Sequence, residues 1–469
     1  MSSPTHCTLP VGDGLSQEGS VSTTIKNYDG SIVAAPQQIV RPESVAALQE
    51  ILRNRERYPG PVRAMGNFHS LTPCAASTGT MVDMRAMNKV VTLDGQALTF
   101  TAQAGMEMIE AARLLRAAQL QFMLNIEIGN LTLGSAACCQ TKDSLDGVEF
   151  GQVNSYVTGV KWVNPSGGLE EASAETHPEL LPFIRASYGL AGIVYEVTFK
   201  VKPLEIVRFD YDLRLVKELT QAHLASVIAS NQGVVCWTID DTVVIQTRNQ
   251  ATELRHEWLA ESRRFGWNFL GAFAGRVAGR LSTGSEVLDD LAFDIELGFY
   301  RLFSKLGGFT LYDPDKMIDY SKTPRVARYA FTFWAFPVDR WVENIQAYVQ
   351  FRDDYHAAHG FRCNLPCGAY FVRRDQSSLL SYTHDGDVFS IDPIHAPGER
   401  DKDAWAAFLR AFNAWAHARG GIPLLNQSPF VTREHVTVAY GERWTQLCDW
   451  LRTVDPDKRM VNEFFAALM

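Results

Sequence analysis

A chain of 469 residues, 46% hydrophobic and 21% charged, has the composition of a globular protein of two or three domains with a sizeable core. Its net charge of -9 excludes the concentrated lysine and arginine surface that phosphate-backbone binding requires, so nucleic acid is not an expected partner. No apolar run approaches the ~20 residues of a bilayer span, and membrane association is not expected.

The opening MSSPTHCTLPVGDG has neither the basic nor the apolar region of a secretory signal, which makes a cytoplasmic location the expectation. A polar tail is expected to run to residue 27. After Pro42-Glu43-Ser44 a helix follows, with Val45, Leu48, Ile51 and Leu52 on one face, and Pro59-Gly60 ends it. PVRAMG is a short strand, and GTMVDMRAMNKVVTLD and ALTFTAQAG are strands broken at Asp94-Gly95. MEMIEAARLLRAAQLQ is a helix with Ile109, Ala112 and Leu115 inward.

The alternating strand GIVYEVTFKVKP closes on Pro203, and the composition changes after it. Longer helical pieces follow, among them an arginine-bearing helix from Trp267 to Leu281, expected to be a packed helix or lid. RYAFTFWAFP is an aromatic strand, and helices fill the segment from Pro429 to Met469. The eight cysteines form no repeated CxxC pairs, so free buried thiols and no metal are expected.

Three loops of small residues interrupt these elements. The first, Ala64 to Cys74 (AMGNFHSLTPC), follows a strand, and consecutive backbone N–H groups in such a turn form an anion-binding concavity. The second, Asn125 to Cys139 (NIEIGNLTLGSAACC), gathers Gly129, Gly134 and Ser135 in one turn-strand segment onto which a flat group can lie closely. SYGLAGIVYEV is the third. No G-x-G-x-x-G opens a helix here, so a dinucleotide held by these loops requires a fold other than the Rossmann unit.

In order, RPESVAALQEIL, VRAMGNFHSL, MVDMRAMNKVVTLD, TAQAGM, GNLTLGSAACC, FIRASYGLAGIVYEVTFKVKP and DPDKRMVNEFFAAL resemble the FAD-linked oxidases of the vanillyl-alcohol oxidase/para-cresol methylhydroxylase superfamily. The aldonolactone and alditol oxidases are the most similar subgroup. The resemblance implies an α+β fold: a two-subdomain FAD-binding domain over 28–204, completed by C-terminal helices over 429–469, with an inserted α+β substrate domain over 205–428 carrying an antiparallel sheet.

It implies FAD as cofactor, bonded covalently through His69, with Met65, Gly66, Asn67, Phe68, His69 and Ser70 along the pyrophosphate. Gly129, Asn130, Leu133, Gly134 and Ser135 would follow the ribityl chain and ring, and Gly192, Ile193 and Val194 would lie by the adenine. Tyr188 and Cys138 complete the expected cofactor set. A second attachment through Cys138 or Cys139 is not expected, because both fall past the position such a cysteine takes.

Members of that subgroup carry a Glu-x-Arg pair on a strand facing the flavin and a His-Trp-Gly-Lys motif near the C-terminus. Here Tyr370 and Val372 occupy the first place, and Asn426 and Gln427 replace the last two residues of the second. The charged groups that orient a sugar hydroxyl are missing, and aromatic strands favour a more apolar substrate. Tyr370 is the first candidate for the group that orients or deprotonates a hydroxyl, followed by Gln427, Asn426, Glu127 and Arg373. His384 and Asp392 read more simply as parts of a hairpin turning at Asp385-Gly386.

The expected function is oxidation of a small, fairly apolar molecule by hydride transfer from a C–H next to O or N to flavin N5, with molecular oxygen or another acceptor reoxidising the flavin. A non-redox cyclisation or isomerisation and an aldonolactone/alditol-type sugar oxidation are the alternatives. The sequence sets no oligomeric state.

Overall fold

The computed structural model describes residues 24–144, 150–265, 286–324, 328–398 and 401–469. The expected tail up to residue 23 and the helix expected from Trp267 to Leu281 lie outside them. The end of that tail nearest the fold is built into it: Ile25–Lys26 pairs antiparallel with Val33–Ala34, and the Asn27 amide donates to the Ser70 carbonyl at 2.9 Å.

The first layer is a three-stranded parallel sheet of Gln38–Val40, Thr80–Asp83 and Val62–Met65, with Thr80–Asp83 in the middle. Parallel strands need a crossover, and the helix Val45–Arg53 supplies it. Ser44 caps this helix by accepting from the Ala47 amide, and Leu48, Ile51 and Leu52 are its buried face. Three of the four residues expected on that face are thus inside.

A second, six-stranded antiparallel sheet is centred on Ile193–Pro203, which pairs with Thr99–Gln103, Val157–Val163 and Leu120–Phe122. Strand alternation sends Val197, Phe199 and Val201 into the core. The expected break at Asp94-Gly95 is the turn between Val90–Asp94 and Thr99–Gln103.

Immediately after Pro203, Ile206–Leu215 enters an eight-stranded sheet, antiparallel throughout, that ends on Trp334–Pro337 and Ile422–Pro423. The α+β class with an antiparallel sheet in the second half is therefore the observed one. The stretch RYAFTFWAFP is two strands rather than one: Ala330–Phe331 pairs with Ile394–His395, and Trp334–Pro337 pairs with Val388–Ile391. The helices Trp341–His359 and Lys402–Ala418 meet through a run of aromatic rings, with Tyr348 and Phe351 against Phe412 and Trp415.

The chain's end returns to its beginning. Asn462 caps the helix Glu463–Leu468, and its buried amide also donates to the carbonyls of Pro73 and Ala76 at 2.9 and 2.8 Å. Arg63, fully buried, donates to the carbonyls of Cys74 and Met460 at 2.8 Å each and to that of Tyr188. Two side chains thereby tie three segments distant in sequence around the first loop.

Replacing Asn462 by Ala removes a helix cap and the amide's hydrogen bonds to the Pro73 and Ala76 carbonyls, an expected loss of about 1–3 kcal/mol. Urea unfolding of the variant checks this; a loss below ~0.5 kcal/mol, the size of an ordinary surface change, would show that the tie carries no stability.

Candidate active site

The strand Val62–Met65 runs into the turn that carries His69. Gly66 must lack a Cβ, because one built there would sit 2.7 Å from Thr132 Cγ2 and closer still to its Oγ1. The first and second loops therefore touch. Asn67 sews them together, its amide donating to the Asn130 carbonyl and to Glu107 Oε1 at 2.6 Å each.

Phe68 adopts a left-handed backbone, φ 54°, which costs a non-glycine residue roughly 1–2 kcal/mol. Its ring is buried in a small cluster with Ile25, Ala34, Met65 and Met81, and this packing offsets the strain. The bulky residue that crowds the turn in the sequence is thus the anchor that holds the turn in shape.

The backbone N–H groups of Asn67, Phe68, His69 and Ser70 have no acceptor among the described residues, and all four residues line one cleft. Such a run of free amides is an anion-binding concavity. His69 is beside it, its Nε2 buried with no hydrogen-bond partner. Burial, with the Arg328 guanidinium adding to it, pushes the imidazole down to about 4, while the Asn130 side chain opposes the shift. His69 is a neutral ring at physiological pH.

The second loop departs from the turn-strand expected of it. Leu133–Cys138 is a short helix with Thr132 at its N-cap position, and Thr132, Gly134, Ser135 and Cys138 line the same cleft. Gly134 lies so close to Ala104 that a Cβ would meet the Ala104 methyl at 2.9 Å. Burial pushes the Cys138 thiol up to about 11 and the Cys139 thiol well above its ordinary value. Both are neutral thiols at physiological pH.

Tyr188, Gly189, Gly192 and Val194 bring the third loop to the cleft. Tyr188 and Gly189 are left-handed and Gly192 has φ 132°, where a Cβ would collide with the Val163 carbonyl. The Tyr188 hydroxyl donates to Gln140 Oε1 at 2.6 Å.

The cleft continues from the three loops to a second, mainly aromatic end. Its far end is walled by Trp237, Tyr320, Tyr329, Phe331, Tyr370 and Ile394, with Glu127, Lys142 and Asp392 as charged groups. Lys142 ion-pairs with Asp392, and its ammonium lies 4.6 Å from the ring centroids of both Phe331 and Phe333 and 5.0 Å from that of Tyr370. Burial pushes Asp392 up to about 6 against the pull of Lys142, and burial lowers Lys142 against the pull of Asp392.

Behind this end, Asp143 ion-pairs with Arg248, and with Lys316 at 2.9 Å, while Lys316 also meets Asp313 at 2.8 Å. Asn125 donates to Asp313 at 2.7 Å. Burial pushes Asp143 up, but Arg248 and Lys316 outweigh it and hold the carboxyl below the usual range.

Of the residues singled out from the sequence, Met65 through Ser70, Gly134, Ser135, Cys138, Tyr188, Gly192 and Val194 line the cleft, as do Glu127, Tyr370, Asn426 and Gln427. Asn130 stands behind His69 rather than on the wall. Gly129, Leu133, Ile193 and Arg373 are not on it. Gly129 packs under Ile109 and bonds the Ile318 carbonyl, Leu133 faces the main core, and Ile193 faces the core under the parallel sheet. Arg373 is on the strand face opposite Tyr370, its guanidinium over Phe371.

Asn426 is occupied structurally: its carbonyl accepts from Leu71 at 2.9 Å and its amide donates to Gln140 at 3.1 Å. Gln427 keeps a buried Oε1 with no partner. Burial pushes the Tyr370 phenol well above its ordinary value, with Glu127 and Asp143 adding to the shift; it is a hydrogen-bond donor and not a base. His384 is bonded to Asp385, but the expected hairpin is absent: no strand precedes Asp385-Gly386 in this segment, and Val388–Ile391 pairs with Cys367–Val372 and Trp334–Pro337. Asp392, read as part of the same hairpin, is instead in the cleft, and Lys142 was missed. The available signal was a carboxylate closing the apolar strand VFSI.

The contact between the first two loops generates a double-mutant test. Gly66→Ala is expected to cost about 1–3 kcal/mol by overpacking, and adding Thr132→Ala, which deletes the two closest atoms, should recover part of it. Denaturant unfolding of the cycle checks this; additivity within ~0.5 kcal/mol would show that the loops do not meet at Gly66.

Residues 36–173 match the model of the FAD binding domain. The chain is 27% identical over 178 residues to an L-gulono-1,4-lactone dehydrogenase of Mycobacterium tuberculosis, 38% of this chain and 40% of that protein. It is 24% identical over 233 residues to the mitochondrial L-galactono-1,4-lactone dehydrogenase of Brassica oleracea, 49% of this chain and 38% of that one. The matched stretch thus spans about two-fifths of these relatives' length. Among solved structures, a histidine-to-alanine mutant of cholesterol oxidase from Brevibacterium sterolicum superposes with a TM-score of 0.73 at 15% identity, covering 95% of this chain and 96% of that one. The chain as a whole thus has the fold of that cholesterol oxidase, with the match to the FAD binding domain lying in its N-terminal part.

Proposed function

We propose that this protein is an FAD-dependent oxidoreductase of a small, mostly apolar organic molecule, with FAD bonded covalently to His69. The observation that carries the proposal is the His69 imidazole: buried, neutral and with an unpartnered Nε2 in the cleft where the three loops of the FAD-binding domain converge. A buried polar atom without a partner calls for an explanation. A bond to the cofactor accounts for it.

When bound, FAD supplies a ring that accepts a hydride at N5. The residues that would hold it are the free amides of Asn67 to Ser70 at its pyrophosphate, Thr132, Gly134 and Ser135 along its length, and the wall of Tyr188, Gly192 and Val194. Glycines at Gly66 and Gly192 let the chain segments that form this cradle pack against their neighbours. At the far end the aromatic wall excludes water from the reacting bond, which strengthens every polar contact inside. Tyr370, protonated, donates a hydrogen bond; Gln427 Oε1 accepts one. Both orient a substrate hydroxyl.

An aldonolactone substrate is the second reading, favoured by what the relatives are. Against it, the aromatic residues dominate the far end and Arg373 faces away from it. Oxygen or another acceptor would complete the cycle, and anaerobic bleaching followed by air readmission distinguishes them.

Acid precipitation of the purified protein tests the attachment. A yellow pellet whose flavin maps to a His69 peptide is expected, and His69→Ala should release all FAD to the supernatant. A colourless wild-type pellet would refute the bond, and a protein that neither contains nor takes up FAD would refute the flavoenzyme. The rate of attachment on reconstituting apoprotein also has an expected pH dependence. The imidazole carries a proton below about 4 and is free above it, so the rate should be flat from pH 6 to 8 and fall as pH drops towards 4.

A further inference from the structure

We propose that Asp392 and Lys142 form the catalytic pair of this site, with Asp392 the base that takes the hydroxyl proton of a neutral alcohol whose body is mainly apolar. The proposal rests on the oxidoreductase reading above and names its substrate class.

The first argument is a contrast between two buried carboxylates. Asp143 is closed: one oxygen meets Arg248 and the Ser144 amide, and the other meets Lys316. Asp392 is less completely paired. Lys142 holds Oδ2 and Ser390 adds a side-chain hydrogen bond to the carboxyl, while the buried Oδ1 meets no cation among the described residues; both carboxylates line the cleft. A structural ion pair has its remaining lone pairs satisfied. A carboxylate beside a ligand cleft with one oxygen lacking a charged partner has capacity for a further donor, and a substrate hydroxyl is one.

The second argument concerns Lys142 once Asp392 is protonated. Removing one charge of a buried pair ordinarily strands the other at a cost of several kcal/mol. Here three aromatic faces at 4.6, 4.6 and 5.0 Å receive the ammonium, and cation–π attraction is strongest in a desolvated setting. The cage lets the carboxylate accept a proton without expelling the lysine, whose charge then stabilises the oxygen that is losing its proton.

In the step itself the substrate O–H bond breaks, its proton going to Asp392 Oδ1 and its electron pair forming the second C–O bond. The adjacent C–H bond leaves with both electrons as hydride to the flavin, the oxidant of the proposed reaction. The alcohol is oxidised to the carbonyl by two electrons, and FAD is reduced by the same two. The pair is neutral overall, so a neutral alcohol adds no net charge to the aromatic pocket, whereas an ammonium substrate would leave one unbalanced.

The ionisable groups facing the pair are Glu127, Cys367, Tyr370 and Tyr382. Burial holds Cys367, Tyr370 and Tyr382 well above their ordinary values, so they stay neutral between pH 5 and 8, and Glu127 lies 3.9 Å from Arg248. Asp392, raised to about 6, is protonated below that pH and a competent base above it.

Two measurements test the proposal on the holoenzyme. The first is equilibrium binding of benzoate, read from the flavin absorbance. Wild-type protein should bind it only as pH falls through about 6, Asp392→Asn should bind it at least tenfold tighter at pH 8, and Lys142→Met should not bind it. Affinities unmoved by both variants would overturn the placement of the pair against the substrate.

The second is anaerobic flavin bleaching by benzyl alcohol, cyclohexanol and 1-octanol, with benzylamine beside them. Bleaching by an alcohol should rise with pH through about 6, be slowed about 10²–10⁴-fold in Asp392→Asn with the pH dependence lost, and have its midpoint raised in Lys142→Met. Bleaching that survives Asp392→Asn overturns the base alone. Bleaching by the amine only overturns the substrate class. If no compound bleaches the flavin while benzoate behaves as described, the oxidoreductase reading fails and the base with it, leaving a carboxylate site.

Discussion

The carboxylate of Asp143 is the constraint on which the far end of the cleft depends. It is surrounded by two cations, Arg248 from the eight-stranded sheet and Lys316 from the turn after Phe309–Tyr312, and Lys316 shares a second carboxylate, Asp313. Taking four charges out of water is costly, and only close mutual pairing offsets it. Such a cluster tolerates one arrangement. It pins the segment Gln140–Ser144, which follows the second loop, to the sheet that forms the opposite wall.

That pin explains where Lys142 goes. Within that segment Asp143 enters the charge cluster, while its neighbour Lys142 meets Asp392 in the cleft. Gln140 takes the Tyr188 hydroxyl from the third loop on its side chain and the Asn426 amide, from the segment near the C-terminal helices, on its carbonyl. One five-residue stretch therefore connects every part of the wall, although nothing in its composition marks it as more than a polar linker.

The cofactor end of the site was legible because its chemistry is made by the backbone. Gly66, Gly134 and Gly192 are required by close approach of another chain segment or by a left-handed turn, and small residues in order along a sequence are visible without a structure. His69 stood out as a lone ionisable group in such a turn. Phe68 reads in the sequence only as one residue of the cofactor turn, whereas its ring fills a cluster with Ile25 and Ala34. Packing partners that far along the chain leave no local trace.

The substrate end was harder, for a reason that strand geometry makes plain. Sequence comparison looks for a charged pair on the strand Cys367–Val372, where Tyr370 and Val372 now stand, and finds its loss. In the structure the neighbouring strand Val388–Ile391 runs antiparallel to it, and Asp392 bridges Gly368 through two main-chain hydrogen bonds. A residue one strand over is displaced by only ~4.8 Å, within the length of a side chain. In the proposed site the carboxylate therefore comes from the end of that neighbouring strand, and its partner is Lys142 from the segment after the second loop. A pair assembled from residues 250 positions apart is a property of the fold that no motif can record.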